Sequence, residues 1–197
     1  MKNFYKLLLI VLFIFGTISV QAQDENNPWQ VTFGMHAVDQ EADQQTSFTE
    51  FFNVSDNWNI SAPFSMFSVS RYLGSNFSFG IGMSFNSISK YATGYEMSEA
   101  SAHRTADAML KYSFGNVLDW GSWEPFVGIG PGWTWMADEN WMTGNFSLGI
   151  NYWMNERWGL TFQTEYRESF EDEMMDEGGS MRWSAGVSIK LGGTESN

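Results

Sequence analysis

The sequence contains no cysteine. This absence excludes disulfide bonds, thiol catalysis, cysteine-ligated zinc and the cysteine-linked lipid anchor of lipoproteins. Positive charge is also scarce, because ten lysines and arginines stand against 23 aspartates and glutamates, and the formal net charge is −13. A chain this acidic is repelled by the phosphates of nucleic acids, so we expect no nucleic-acid partner.

Long apolar runs are missing everywhere except at the N-terminus. Residues 1–22 resemble a cleavable signal peptide, with Lys2 and Lys6 ahead of the apolar run Leu7–Phe15 and with cleavage predicted between Ala22 and Gln23. A membrane-anchoring helix is the alternative, but the run is shorter than the roughly 20 residues that such a helix needs. No later run is long enough to span as a helix, so the mature chain can enter a membrane only as strands.

The dominant signal after residue 22 is alternation of apolar and polar residues. In Arg182–Leu191, every second residue from Trp183 onward is apolar, and the residues between are small or polar. A period of two is typical of a β-strand with two unlike faces. Segments of about the 9–11 residues that cross a bilayer follow one another along the chain, at residues 29–38, 64–73, 77–88, 104–114, 123–136, 144–154, 158–167 and 182–191.

We therefore predict that residues 23–197 form one all-β domain, an antiparallel eight-stranded up-and-down transmembrane β-barrel. The links at residues 74–76 and 155–157 are tight turns, whereas several links on the other side are long and acidic. Short turns on one side and longer loops on the other are the arrangement of outer-membrane barrels, although the link after the fifth strand is also short. An even number of strands puts both ends of the barrel on the periplasmic side.

A soluble, lipocalin-like carrier with its apolar face inside is the main structural alternative. Two features count against it. The polar faces carry mostly Gly, Ser, Thr and Asn, which suit the narrow interior of a small barrel better than a water-exposed surface. Aromatic residues also cluster near the strand ends, as in the interfacial girdles of membrane barrels; the predicted girdle residues are Trp29, Tyr72, Tyr112, Trp123, Trp133, Trp135, Tyr152, Trp158, Tyr166 and Trp183.

The chain resembles the OmpA-like eight-stranded outer-membrane β-barrel proteins of Gram-negative bacteria. The resemblance covers most of the mature chain and is carried by NPWQVTFGMHAVD, SVSRYLGSNFSFGIG, EPFVGIGPGWTW and the closing strand. It implies a location in the cell outer membrane. It also implies that the closing strand is read by the outer-membrane assembly machinery, through a pattern that Ser184, Gly186, Ile189 and Leu191 fit. The sequence shows no peptidoglycan-binding domain of the kind many members carry, so tethering to the cell wall is not implied.

Charged residues on the polar faces are expected to meet inside the barrel, where buried charges need partners. We predict a structural network of salt bridges in the lumen, and a gate in a narrow pore is the alternative. The predicted members are Arg71, Asp107, Lys111, Glu165, Arg167 and Lys190.

The two histidines are the candidates for catalysis. Small outer-membrane enzymes that modify lipid A use a histidine, a serine and an acid, but neither His36 nor His103 is followed by a serine two residues later. Neither has a neighbour at metal-ligand spacing. The glycine-rich stretch Gly128–Gly132 lacks the lysine and the helix of a phosphate loop, so we expect no cofactor. We predict a protein that is not an enzyme, with a lipid A-modifying enzyme as the alternative.

The long loops are rich in aspartate and glutamate, especially at residues 39–56 and 171–177. Clustered carboxylates could weakly bind Ca²⁺ or Mg²⁺ and bridge to lipopolysaccharide phosphates, but the spacing matches no defined calcium loop. The predicted function is therefore membrane integrity or surface interaction through these loops, with outer-membrane lipid and lipopolysaccharide as partners.

Overall fold

The computed structural model describes residues 26–40, 52–90, 96–170 and 179–192. The predicted signal peptide, its cleavage site at Ala22 and Gln23, and most of the acidic loop residues lie outside these ranges. The strands are β1 (Trp29–Asp39), β2 (Asn59–Ile60), β3 (Met66–Gly74), β4 (Phe77–Lys90), β5 (Glu96–Ser113), β6 (Trp123–Met136), β7 (Glu139–Trp153), β8 (Trp158–Ser169) and β9 (Ser180–Leu191).

Eight of these strands close into an antiparallel barrel. Each of β3 to β8 pairs with the next strand in the chain, and β1 pairs with β3 on one side and with β9 on the other. The closing seam runs in continuous register from Trp29 opposite Leu191 to Asp39 opposite Met181. The predicted fold class is confirmed.

The strands extend further on the side of the long loops than the sequence pattern indicated. β5 begins at Glu96 instead of Arg104, and β7 begins at Glu139 instead of Gly144. Backbone pairing continues there because it does not require an apolar face. β2 was also missed, since a two-residue ladder to Ala37 and Val38 has no detectable period.

The barrel is apolar outside and polar inside. Ile81 and Ile129 on the outer face are 60% and 64% exposed, whereas Ser84, Ser147 and Ser188 on the inner face are fully buried. A water-soluble barrel has the opposite arrangement, so the lipocalin-like alternative does not fit. An outer surface of this kind is stable against lipid, where a closed barrel leaves no strand edge unpaired.

The tight turns have local causes. Between β3 and β4, Ser75 and Asn76 adopt positive φ angles of 51° and 67°, the conformation that short hairpins require. Between β7 and β8, the Asn155 side-chain oxygen accepts hydrogen bonds from the backbone N–H groups of Arg157 and Trp158. The link from β5 to β6 contains one turn of helix, α1 (Gly115–Leu118). In the described ranges, no helix is both long and apolar enough to cross a membrane.

Candidate functional site

Four charged side chains meet inside the barrel and form what we call the ion cluster: Asp107 on β5, Glu165 and Arg167 on β8, and Arg182 on β9. Arg167 donates to Asp107 at 2.6 Å and to Glu165 at 2.8 Å. Arg182 donates to Asp107 at 2.9 Å and to Glu165 at 2.7 Å. Each guanidinium therefore binds both carboxylates, and the cluster has no net charge.

Neutral side chains on four strands, β4 to β7, also form hydrogen bonds with the ion cluster. Arg182 donates to Ser84 on β4 at 3.2 Å and to Thr105 on β5 at 3.0 Å. Arg167 donates to Thr134 on β6 at 3.1 Å. On β7, Thr143 accepts from Arg167 at 3.3 Å, and Asn145 donates to Asp107 at 3.1 Å. Six of the eight barrel strands thus contribute a side chain to one bonded unit.

Burial makes the ion cluster sensitive to the loss of any member. Its four side chains are at most 6% exposed. Taking such charges out of water is costly, and their mutual attraction offsets that cost only while every partner is present. Removing one member leaves a charge buried without full compensation, which typically costs about 3–5 kcal/mol.

A second polar group lies towards the tight-turn end of the lumen. The buried Glu124 carboxylate accepts hydrogen bonds from the Ser113 hydroxyl at 2.6 Å and from the Trp153 indole N–H at 2.5 Å. The Lys190 ammonium lies over the face of the same indole, 3.8 Å from the ring centroid. Lys190 is almost fully buried, and the Trp153 ring therefore connects an interior cation to an interior carboxylate.

Lys111 lies between the ion cluster and Glu124 and has its own contacts. The Lys111 ammonium donates to the Gln163 side chain at 3.2 Å and lies 4.7 Å from the centroid of the Phe126 ring. A cavity of about 50 Å³ adjoins Lys111 and the ion cluster, and another of about 20 Å³ adjoins Lys111 and Glu124. One water molecule needs about 10–15 Å³ of such space. These cavities therefore have room for a few single waters.

Five of the six charges predicted for the lumen lie inside the barrel: Asp107, Lys111, Glu165, Arg167 and Lys190. The prediction for Arg71 is wrong. Its side chain is exposed on the outer face, with the guanidinium 5.4 Å from the centroid of the Trp29 ring. The register explains this, because Arg71 lies opposite the outward Trp29. At the edge of the bilayer an arginine can reach the headgroups, so it needs no interior partner.

Two lumen charges were missed, Arg182 and Glu124. Arg182 stands on the polar face of the closing strand, two residues before Ser184, and strict alternation already indicated an inward side chain. Glu124 is the second residue of β6, and the same rule applied from the outward Trp123 gives its direction. The period-two pattern therefore carried the signal for both.

Most of the predicted girdle residues lie on the outer face. Trp29, Trp123 and Trp158 are each close to half exposed. Tyr112 packs edge-on against Phe77, and Tyr152 packs against Trp123 with ring centroids 4.5 Å apart. At the long-loop end, the outward residues are Trp133, Trp135, Tyr166 and Trp183, with Trp183 stacked on Trp58 of the first long loop.

Tyr72 is the exception, and the prediction that it belongs to a girdle is wrong. By register it lies opposite Ser78, on the lumen face shared with Ser70. Its hydroxyl accepts the backbone N–H of Asn76 across the tight turn, at 3.4 Å. β3, the second strand of the barrel, alternates less regularly in sequence, so its pattern does not fix the face of Tyr72.

The closing strand has a close contact that its sequence pattern did not reveal. Gly186 lies opposite Gly34. A Cβ at Gly186 would come within 2.7 Å of the Phe33 carbonyl oxygen. The other residues of the predicted assembly pattern have ordinary places: Ser184 donates to the Gln163 carbonyl, and Leu191 lies on the outer face. Recognition of this strand by the assembly machinery stays a prediction.

The two histidines lie inside the barrel near the long-loop end, each 2% exposed. Nδ1 of His36 lies 3.3 Å from the Ser65 hydroxyl, which is also bonded to Ser61. Among the described residues, no carboxylate hydrogen-bonds His36, and no group of three or more potential metal ligands is assembled. The arrangement thus contains a serine–histidine contact without the acid that orients the histidine in a catalytic triad.

No protein family and no curated protein matches this chain at the level of sequence. Solved structures match its fold. Neisserial surface protein A (NspA) is 12% identical, with a TM-score of 0.57, and the match covers 83% of this chain and 96% of NspA. OprG of Pseudomonas aeruginosa is 9% identical, with a TM-score of 0.55, covering 87% of this chain and all of OprG. The N-terminal β-barrel domain of Pseudomonas aeruginosa OprF is 12% identical, with a TM-score of 0.50 and coverage of 84% and 98%.

These likenesses confirm the resemblance to eight-stranded outer-membrane barrels at the level of the fold. The apolar outer face between two aromatic girdles provides independent evidence that this barrel sits in a bilayer. The fold is that of the integral β-barrels of the bacterial outer membrane.

Proposed function

We propose that this protein is a non-catalytic component of the outer membrane, closed to the flow of solutes, that acts in membrane integrity or in interactions at the cell surface. The observation that carries the proposal is the ion cluster, in which two arginines and two carboxylates neutralise one another and, together with their neutral partners, join six strands. A gate would need a second arrangement of these groups, and each alternative would leave a buried charge without its partners.

The architecture of the long-loop end supports a role in surface interaction. Asn59 is buried, and its side chain donates to the carbonyls of Val38 and Lys90 and accepts from the backbone N–H groups of Ser89 and Lys90. The Lys90 ammonium donates to the Ser55 carbonyl at 2.7 Å. The base of the first long loop is therefore tied to β1 and β4, which gives the acidic residues beyond it a fixed platform.

Solute efflux from liposomes tests the closed lumen. The purified full chain, folded into vesicles, is expected to release entrapped small ions no faster than empty vesicles. The double variant Asp107→Ala/Arg182→Ala removes one acid and one base from the ion cluster without changing its net charge, and it is expected to leak. Heat-shifted mobility in detergent verifies that the variant is folded. Steady ion release by the unaltered protein would contradict the proposal.

A lipid A-modifying enzyme is the second candidate, and the contact between His36 and Ser65 is the observation in its favour. We propose that this pair is structural, because both groups lie in the lumen wall and not on the lipid face, where acyl chains are found. Purified protein incubated with lipid A should release no acyl chain. Release that is lost in His36→Ala or His103→Ala would establish an enzyme instead.

Weak binding of Ca²⁺ or Mg²⁺ by the acidic loops is a further proposal, and the residues that would bind lie mostly outside the described ranges. Bound cations would bridge the loops to lipopolysaccharide phosphates. Calorimetry with Ca²⁺ on the folded barrel is expected to give a small saturable heat at millimolar concentration. A titration that shows no heat of binding at millimolar Ca²⁺ would contradict the proposal of a cation site in the loops.

A further inference from the structure

A hollow of about 460 Å³ lies on the outer, lipid-facing surface of the barrel. Its floor is formed by the small outward residues Ala106 and Ala108 of β5 and by Pro131 of β6. Larger side chains border it, including Met83 on β4 and Trp133 on β6. The register accounts for the shape, because Ala106 is flanked by Met83 on one side and by Trp133 on the other.

The ladder between β5 and β6 is interrupted at the same place. Asp107 pairs with Gly132 and Leu110 pairs with Ile129, but Ala108 is not paired to Pro131. Proline has no backbone N–H to donate. A Cβ at Gly130 would overlap the Ala108 carbonyl, so the two strands approach closely where side chains are small. The outer surface is therefore concave over about two residue pairs, and the backbone of β5 and β6 itself forms the concavity.

An outward-facing arginine lies one outward position beyond Ala106, on the long-loop side of the hollow. Arg104 precedes Ala106 on the outward face and lies between Phe85 on β4 and Trp135 on β6. Its side chain is exposed, and the described part of the chain provides it with no hydrogen bond or ion pair. Arg104 is eight residues along β5 from Tyr112, which belongs to the girdle at the tight-turn end. At a rise of about 3.4 Å per residue and a strand tilt of about 40°, the two residues differ in height along the barrel axis by roughly 20 Å.

That height puts the guanidinium near the outer edge of an apolar band about 25 Å tall, on the side of the long loops. An arginine at this depth reaches the interface and favours a phosphate, which it binds through two parallel N–H···O bonds. The surface below it faces hydrocarbon. The only class of molecule that offers a phosphate at the interface and an apolar chain directly beneath it is a membrane lipid.

We propose that Arg104 and the hollow together form a binding site for a phosphorylated glycolipid of the outer leaflet, the lipid A part of lipopolysaccharide. Arg104 holds a phosphate, and one acyl chain lies along Ala106, Ala108 and Pro131 between the flanking side chains. This site is on the outside of the barrel and goes beyond the proposed closed-lumen role, since it needs only that the barrel sits in the outer membrane.

Native mass spectrometry of the full chain, titrated with diphosphoryl lipid A in detergent, tests the site. Arg104→Gln should weaken binding about tenfold, the value of one charge-assisted contact of roughly 1.4 kcal/mol. Ala108→Leu fills the hollow, leaves Arg104 in place and should weaken binding several-fold. Arg71→Gln is the matched control, because Arg71 is an exposed outward arginine at the opposite girdle, and it should bind like the unaltered protein.

Three further titrations identify the ligand. Lipid A without phosphates should bind the unaltered protein as weakly as diphosphoryl lipid A binds Arg104→Gln, and inorganic phosphate should not displace lipid A. Equal losses in Arg104→Gln and Arg71→Gln, or no loss in either, would overturn the site. Displacement by inorganic phosphate would overturn the role of the hollow, and equally tight Arg104-dependent binding of phosphatidylglycerol would overturn the choice of lipid A.

Discussion

Removing one arginine from the ion cluster should destabilise the barrel far more than removing an arginine from its outer face. Arg182 makes ion pairs of 2.9 Å and 2.7 Å to two buried carboxylates. At an effective dielectric constant of 20, each pair corresponds to a gross attraction of about 6 kcal/mol, which the cost of desolvation largely offsets. Arg182→Met also deprives Ser84 and Thr105 of a donor. We expect a net loss of about 3–5 kcal/mol.

The matched control is Arg71→Met, which removes an exposed arginine whose described contact is with the Trp29 ring. That change should cost no more than about 1 kcal/mol. Urea unfolding of the barrel in lipid vesicles, followed by tryptophan fluorescence and by heat-shifted mobility, gives the free energy of unfolding of both variants.

A double variant tests whether Arg182→Met destabilises the barrel by leaving the ion cluster with an uncompensated negative charge. Asp107→Asn/Arg182→Met leaves Glu165 and Arg167 as a neutral pair, so its loss should fall short of the sum of the two single losses by about 0.5–3 kcal/mol. Additive losses, or an Arg182→Met loss no larger than that of Arg71→Met, would refute the description of these four residues as one coupled unit.

Three other changes should have graded effects in the same unfolding assay. Val187→Lys puts a charge on the lipid face near mid-membrane and should cost about 2–4 kcal/mol, whereas Val187→Leu should be nearly neutral. Gly186→Ala should cost about 1–3 kcal/mol because its Cβ meets the Phe33 carbonyl oxygen, and Gly82→Ala, where the nearest atom is 3.3 Å away, should cost less. Trp153→Phe removes the indole donor to Glu124 and should cost about 1–3 kcal/mol, more than Trp123→Phe on the outer girdle; equal losses would contradict the account.

Alternation along the chain was enough to predict the strands and most of their faces. The reason is that a barrel with lipid outside and a packed polar interior imposes one rule on every residue of every strand. Arg182 and Glu124 obey that rule, and their positions near strand ends place both charges inside the barrel. Arg71 obeys it too, and lies outside because the bilayer edge accepts an arginine.

The partners within the lumen could not be predicted in the same way. Arg182 and Asp107 are 75 residues apart in sequence, and their contact depends on the stagger between β5 and β9 around the closed barrel. Alternation gives the face of a residue but not its height relative to distant strands. The hollow beside Arg104 was missed for the same reason, since its floor combines residues of β5 with Pro131 of β6.

The most direct test of the account is fractionation of cells that produce the full chain. We predict that the protein co-purifies with outer-membrane vesicles, is extracted only by detergent and migrates faster before heating than after, as a folded barrel does. Release into the soluble fraction without detergent, with no change of mobility on heating, would contradict the central claim that the apolar face of this barrel contacts lipid.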